Sequence, residues 1–298
     1  MEETILKKQI ALIAITLGLF SVGAPVASHY AAPTAIAATQ TTKETVVPGS
    51  QIKLEGAVNV RDLGGYKTES GKVIKPNMLV RSAKLNTLTA NDEAILTKQH
   101  RVAVDVDLRT PAEMKEAPDK KMAGVKYVKD PVVSDAEDKQ NYKIADGQTG
   151  MIDYYKYFVD TAQGRQAYKT LFHELLTVPS NEAVLWHCSA GKDRAGFGTA
   201  LIMTALGVNK STIYKDYLLS NKYRKATNDQ ALAELKKKGA SKATIKKDYY
   251  GLIVEKAYLD EAYKEAETHY GSMKGFLEKG LGLSQADLTK LQNKYLEK

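Results

Sequence analysis

Cysteine is almost missing from this chain of 298 residues: there is one, Cys188. One cysteine cannot close an internal disulfide, so a small disulfide-stapled scaffold is excluded. None stands near the N-terminal segment, which excludes a lipoprotein anchor. Tryptophan also occurs once, as Trp186. Long apolar runs are missing too. The longest, Ile10 to Phe20, is shorter than the roughly 18 residues expected of a membrane-spanning helix. No internal repeat is present. What remains is ordinary for a globular protein: 43% hydrophobic and 26% charged residues, in a length that suits one large domain or two small ones and can bury a sizeable core. The net charge is +8. That surplus either favours anionic partners such as phosphoesters, acidic lipids or nucleic acid, or is a solubilising lysine-rich surface.

The N-terminus has the layout of a secretory signal. Lys7 and Lys8 precede the apolar run, and Pro25 and small residues follow it, with small-x-small sites at Val26-Ala27-Ser28 and Ala35-Ile36-Ala37. Residues 1–37 are therefore read as a cleaved signal peptide, 38–51 as a polar linker and 52–298 as one domain. The expected location is extracellular, with no stable membrane anchor.

Along the domain, "MLVRS" has strand character, and Thr89–Gln99 reads as a helix with a Thr cap. "RVAVDVDLR" reads as a strand that delivers Asp107 and Arg109 to a loop, and Gly124–Val133 as another strand. The spacing predicts a helix over Ile152–Thr177, a short central strand over Ala183–Cys188 and a nearly all-apolar helix over Ala195–Leu206, stopped by Gly207. After Ser211 only helices with lysine-rich faces are expected. Strands alternating with helices point to an α/β fold with the sheet in the first two thirds of the chain.

The chemistry concentrates in "HCSAGKDRAG", His187 to Gly196. A buried strand runs into Cys188, five residues follow, and Arg194 opens a buried helix. A loop of this kind can turn backbone N–H groups inward, and the helix N-terminus adds partial positive charge. Together they cradle a phosphate dianion, which the planar fork of Arg194 can grip. In that field a thiol ionises below its free value of about 8.5, and a thiolate under a bound phosphate is placed for in-line attack.

"HCSAGKDR" resembles the H-C-x5-R signature of the cysteine-based protein tyrosine phosphatases. "NVRDLGGY" (Asn59 to Tyr66), "LVRSAKL", "DLRTPAE" (Asp107 to Glu113), "DYLLSN" (Asp216 to Asn221) and the C-terminal "YGSMKGFLEKGLGLSQADLTKLQNKYL" are similar to the bacterial secreted tyrosine/dual-specificity phosphatases, in order, from about Ile52 to the end. The resemblance implies a central, mostly parallel sheet flanked by helices, a helical C-terminal extension, and no cofactor. It implies Cys188 as nucleophile, Arg194 as phosphate ligand, and Ser189, Ala190, Gly191 and Lys192 as the rest of the cradle. His187 either supports the thiolate from behind the loop or is a core histidine. The chain has no W-P-D loop, so Asp193 is the first choice of general acid and Asp107 the second; Asp107 and Arg109 can equally be a structural ion pair. Lys192 either grips further phosphates of an inositol ring or is a solvated rim lysine. Asp62, with Arg61, is expected to fix the N-terminal segment near the site. Many relatives carry Ser or Thr after the arginine. Here Ala195 stands there, and Ser189 is a candidate substitute.

Expected partners are phosphotyrosine proteins and phosphoinositides, with no nucleic acid, bound by a monomer. A Walker loop is rejected because Trp186 and Asp193 stand where it needs Gly and Ser/Thr. A rhodanese fits His187 and Lys192 poorly, and an arsenate reductase needs more cysteines. The remaining alternative is a secreted module that holds phosphorylated ligands without turning them over.

Overall fold

A computed structural model describes residues 46–144 and 146–298. The expected signal peptide and the linker up to residue 45 lie outside them. The strands are β1 (Arg61–Asp62), β2 (Val73–Ile74), β3 (Leu79–Ser82), β4 (Val102–Asp107), β5 (Lys126–Lys129), β6 (Ala183–His187) and β7 (Leu296–Glu297). The helices are α1 (Ala90–Ala94), α2 (Pro111–Glu116), α3 (Asp135–Lys143), α4 (Gly147–Asp160), α5 (Ala162–Thr177), α6 (Arg194–Ala205), α7 (Lys210–Tyr223), α8 (Lys225–Lys237), α9 (Lys242–Leu252), α10 (Lys256–Tyr270), α11 (Met273–Gly275) and α12 (Gln285–Tyr295), with π-helical turns at Ile95–Gln99 and Phe276–Gly280.

The apolar run ending at Trp186 is continuous because β6 is covered on both faces. Val184 and Trp186 enter the larger hydrophobic cluster, while Ala183 and Leu185 enter the smaller one on the opposite side. β6 is central in the order β1-β3-β6-β4-β5. β3, β6, β4 and β5 run parallel, and β1 is antiparallel to β3. The expected α/β architecture is therefore present, with a largely helical C-terminal region. Helix α6 buries every residue from Arg194 to Met203, as a helix apolar on all sides must.

Three expectations are corrected. Ile152–Thr177 lies in two helices, not one: the chain breaks at Thr161, whose side chain accepts from the Gly164 amide and caps α5. Helix α3 was not expected, although Ser134 and Glu137 form a capping box that the sequence displays. The C-terminal region is not purely helical, because β7 pairs antiparallel with β2, Val73 opposite Glu297. The last linker residues also touch the domain: Gly49 is buried, and its carbonyl accepts from Tyr223 Oη at 2.6 Å.

Candidate active site

Parallel strands place their C-terminal ends on one edge, the usual ligand-binding edge of an open α/β sheet. β6 ends there at His187, followed by Cys188, a loop, and α6 beginning at Arg194. Cys188 is a free, buried cysteine. The loop turns at Gly191, whose φ is +66°. A Cβ at this position would overlap the Ser82 carbonyl and the Ala83 nitrogen, so glycine is needed on both counts.

The carbonyls of Ser189, Ala190 and Gly191 are tied outward. Asn59 Nδ2 donates to Ala190 O at 3.1 Å and to Gly191 O at 2.9 Å. Arg81 Nη2 donates to Gly191 O at 2.8 Å, Arg224 Nη1 to Ala190 O at 3.3 Å, and the Lys84 amide to Ser189 O at 3.4 Å. Since a peptide group is planar with N–H and C=O on opposite sides, outward carbonyls turn amides inward. Among the described residues, no hydrogen bond takes the amide N–H of any residue from Ser189 to Arg194. Six consecutive unpaired donors at the N-terminus of a 12-residue helix form an anion nest.

Asp216 braces Arg81 directly and Asn59 through Arg61, whose Nη1 donates to Asn59 Oδ1 at 2.7 Å. The Asp216 carboxylate accepts from Arg61 Nε at 2.9 Å, Arg81 Nη1 at 2.9 Å and Tyr66 Oη at 3.0 Å. Arg61, Arg81 and Asp216 are fully buried. Burial opposes the Asp216 charge, but the two guanidinium groups hold its carboxyl below the usual carboxylate range. Burial and the neighbouring Arg61 pull Arg81 down to about 10.

Arg194 is gripped from outside the loop by Glu113 of α2, with Nη1 to Oε2 at 2.5 Å and Nη2 to Oε1 at 2.9 Å. Ser189 Oγ donates to the same carboxylate, so the proposed substitute hydroxyl for Ala195 is already engaged. Burial alone would raise Glu113, but Arg194 and Ser189 bring it to about 2. Glu113 also accepts from the Thr110 amide at 2.8 Å, closing the capping box of α2. One carboxylate therefore fixes both a helix start and the phosphate-loop arginine.

Asp193 lies at the loop's end and accepts from Lys192 Nζ at 2.8 Å and Tyr155 Oη at 2.9 Å. Lys192 is buried, and its ammonium also donates to Ile253 O at 3.1 Å. It is neither a solvated rim lysine nor free to meet a ligand in this arrangement. Burial pulls its pKa down. Trp186 Nε1 donates to Ala195 O at 3.1 Å, tying the central strand to the first turn of α6.

The remaining expected site residues stand behind or beside the loop. His187 is fully buried, with Nε2 at 3.3 Å from Asp105 and 3.2 Å from Asp119. Among the described residues no hydrogen bond joins it to Cys188. Burial works against its charge, but Asp105, Asp107 and Asp119 hold the imidazolium up to about 10. Asp107 accepts from Arg109 Nη2 at 2.6 Å and Tyr127 Oη at 2.7 Å. Burial is outweighed there by His187 and Arg109, so the carboxyl lies far below the carboxylate range. Asp62 accepts from the Gly64 and Asn77 amides at 3.2 and 2.5 Å, closing a turn away from the cradle, and burial raises it to about 6.

Asn59, Arg81, Glu113, Asp216 and Arg224 were not among the expected site residues. The first four lie inside or at the first residue of "NVRDLGGY", "LVRSAKL", "DLRTPAE" and "DYLLSN", the segments that carry the family resemblance. The sequence signature of the tyrosine phosphatase family matches residues 52–297. A protein of Cupriavidus necator named as a tyrosine-protein phosphatase is 29% identical over 247 residues, covering 80% of this chain and 85% of that protein. The triple specificity protein phosphatase PtpB of Mycobacterium tuberculosis is 28% identical over 279 residues, covering 80% of this chain and 97% of that one. A tyrosine-protein phosphatase of Nostoc commune is 28% identical over 152 residues, half of each chain.

Proposed function

Because this chain belongs to the tyrosine phosphatase family, whose members are hydrolases, we propose that it cleaves phosphate monoesters through a cysteinyl-phosphate on Cys188. The observation that carries this reading is the nest of six unpaired amides closed by Cys188 at one end and Arg194 at the other. The phosphate oxygens take the amides and the guanidinium fork. Cys188 Sγ attacks phosphorus in line, the P–O bond to the leaving group breaks, and the loop donors stabilise the charge on the equatorial oxygens. Asp193 gives its proton to the departing oxygen. It is preferred to Asp107 on position: Asp193 belongs to the loop and adjoins Arg194, whereas the Asp107 carboxylate stands against His187 and is engaged by Arg109 and Tyr127. Water then attacks the cysteinyl-phosphate, releasing inorganic phosphate and the thiolate.

The proposed substrates are phosphotyrosine proteins and phosphoinositides, supported by the net charge of +8 and by a relative named for triple specificity. The proposed location is extracellular, supported by the N-terminal signal pattern; among the described residues no helix is long and apolar enough to cross a membrane. The test is turnover of p-nitrophenyl phosphate, a phosphotyrosine peptide and short-chain phosphoinositides, with Cys188→Ser alongside. The variant is expected to lose activity by about three orders of magnitude or more. Full activity in that variant sinks the covalent route, and turnover of the peptide alone removes the lipid substrates.

A further inference from the structure

Arg224 stands between α7 and α8 and is only 8% exposed. Arg61, Arg81, Arg109 and Arg194 are buried at least as deeply, and each has a carboxylate within 3 Å. Arg224 has none among the described residues. Its Nη1 donates to Ala190 O at 3.3 Å. Its Nε is buried without a partner, and its Nη2 makes no hydrogen bond to any described residue. The acidic groups that act on it at longer range are Asp193, already paired with Lys192, and the Cys188 thiol. Burying a charge is costly unless it is paired, and the described residues leave this one open to an anion supplied by a ligand.

The surroundings show where it would sit. Arg224 lines a pocket of about 830 Å³ together with Lys84, Ser189 and Ala190. Glu55 is the acidic residue on that wall. We propose that Arg224 and Lys84 form a second anion subsite, which takes a second phosphate on the same substrate molecule. This rests on the reading of Cys188 and Arg194 as a phosphoester-cleaving centre.

A ring that carries two phosphates suits such a subsite, because Arg224 holds a carbonyl of the loop itself and shares its pocket with Ser189 and Ala190. The ring holds its phosphates at fixed separation, so the second contact orders nothing further. An acidic side chain beside a phosphotyrosine would have to be ordered on binding. Lys192, for which a grip on extra phosphates was one of two sequence readings, is occupied by Asp193 and Ile253.

The experiment compares kcat/KM for p-nitrophenyl phosphate, singly and doubly phosphorylated soluble inositol headgroups, and phosphotyrosine peptides with and without an acidic neighbour. Lys84→Glu and Arg224→Gln are each expected to lower the double-to-single headgroup ratio by about tenfold, and Glu55→Gln to raise it. Calorimetric binding of the two headgroups to Cys188→Ser protein, with and without Lys84→Glu, reads the subsite without turnover. If Arg224→Gln lowers both headgroups equally and Lys84→Glu changes neither, Arg224 only braces the loop and the subsite is rejected. A changed ratio for the acidic peptides instead of the headgroups also overturns the proposal. Absence of any turnover of p-nitrophenyl phosphate by the unmodified protein defeats the phosphatase reading, while the binding measurement still decides the subsite.

Discussion

At the residue scale, Cys188 and Arg194 depend on side chains far along the chain that hold the loop around them. "HCSAGKDR" is contiguous, so Cys188 and Arg194 announce themselves. Glu113 meets Arg194 across 81 residues and Asn59 meets Gly191 across 132, and nothing local distinguishes such residues from helix-capping or surface polar groups. Glu113 holds the guanidinium fork in one orientation. Glu113→Gln is expected to lower kcat/KM for p-nitrophenyl phosphate by about 10- to 100-fold, because misplacing a positioned group by about 1 Å costs that much. Steady-state kinetics with a circular dichroism control checks it. The acid assignment is tested with leaving groups. Asp193→Asn is expected to slow poor leaving groups by about 100-fold and good ones far less, while Asp107→Asn affects both alike. Equal losses with both leaving groups in Asp193→Asn remove it from the role.

At the scale of elements, β6, the loop and α6 form one strand–turn–helix unit whose curvature depends on Gly191. Its positive φ and the backbone of Ser82 and Ala83 directly beside it leave no room for a side chain. Gly191→Ala is expected to cost about 1–3 kcal/mol in stability and to abolish most turnover, because the amides no longer converge. Denaturant unfolding and the p-nitrophenyl phosphate assay would report the two effects separately; an unchanged protein in both assays overturns the account. The strands and α6 were readable because their apolar runs are short, continuous and bounded. The break at Thr161 was not: Thr161 is a modest helix former, and its capping hydrogen bond to Gly164 appears only once the chain has turned.

At the scale of the molecule, the α/β class followed from alternating strands and helices and the central place of β6 from its continuous apolar run, while the parallel sense came with the family resemblance. The order of the outer strands rests on pairings between distant segments, and β7 escaped notice because two residues carry no periodicity. The loop is seated on a buried charge cluster of His187, Asp105, Asp107, Asp119 and Arg109. This cluster gives the protein a pH-dependent stability. His187 is raised from 6.5 to about 10 on folding, so the folded state holds a proton that the unfolded state releases. Its contribution is complete below about pH 6.5 and is lost as pH rises towards 10. Unfolding free energy is therefore expected to fall over that window, and His187→Gln to flatten the fall. Parallel curves for the two proteins show that the imidazolium is not the group responsible.

The single tryptophan gives the molecule a spectroscopic property. Trp186 lies in the central strand, is fully buried, and donates its indole N–H to the carbonyl of Ala195, the residue after Arg194. Its emission therefore senses the sheet interior and the first turn of the loop helix together. With no second indole to dilute the signal, the intrinsic fluorescence of the unlabelled chain is a built-in optical gauge of whether the cradle is formed and filled.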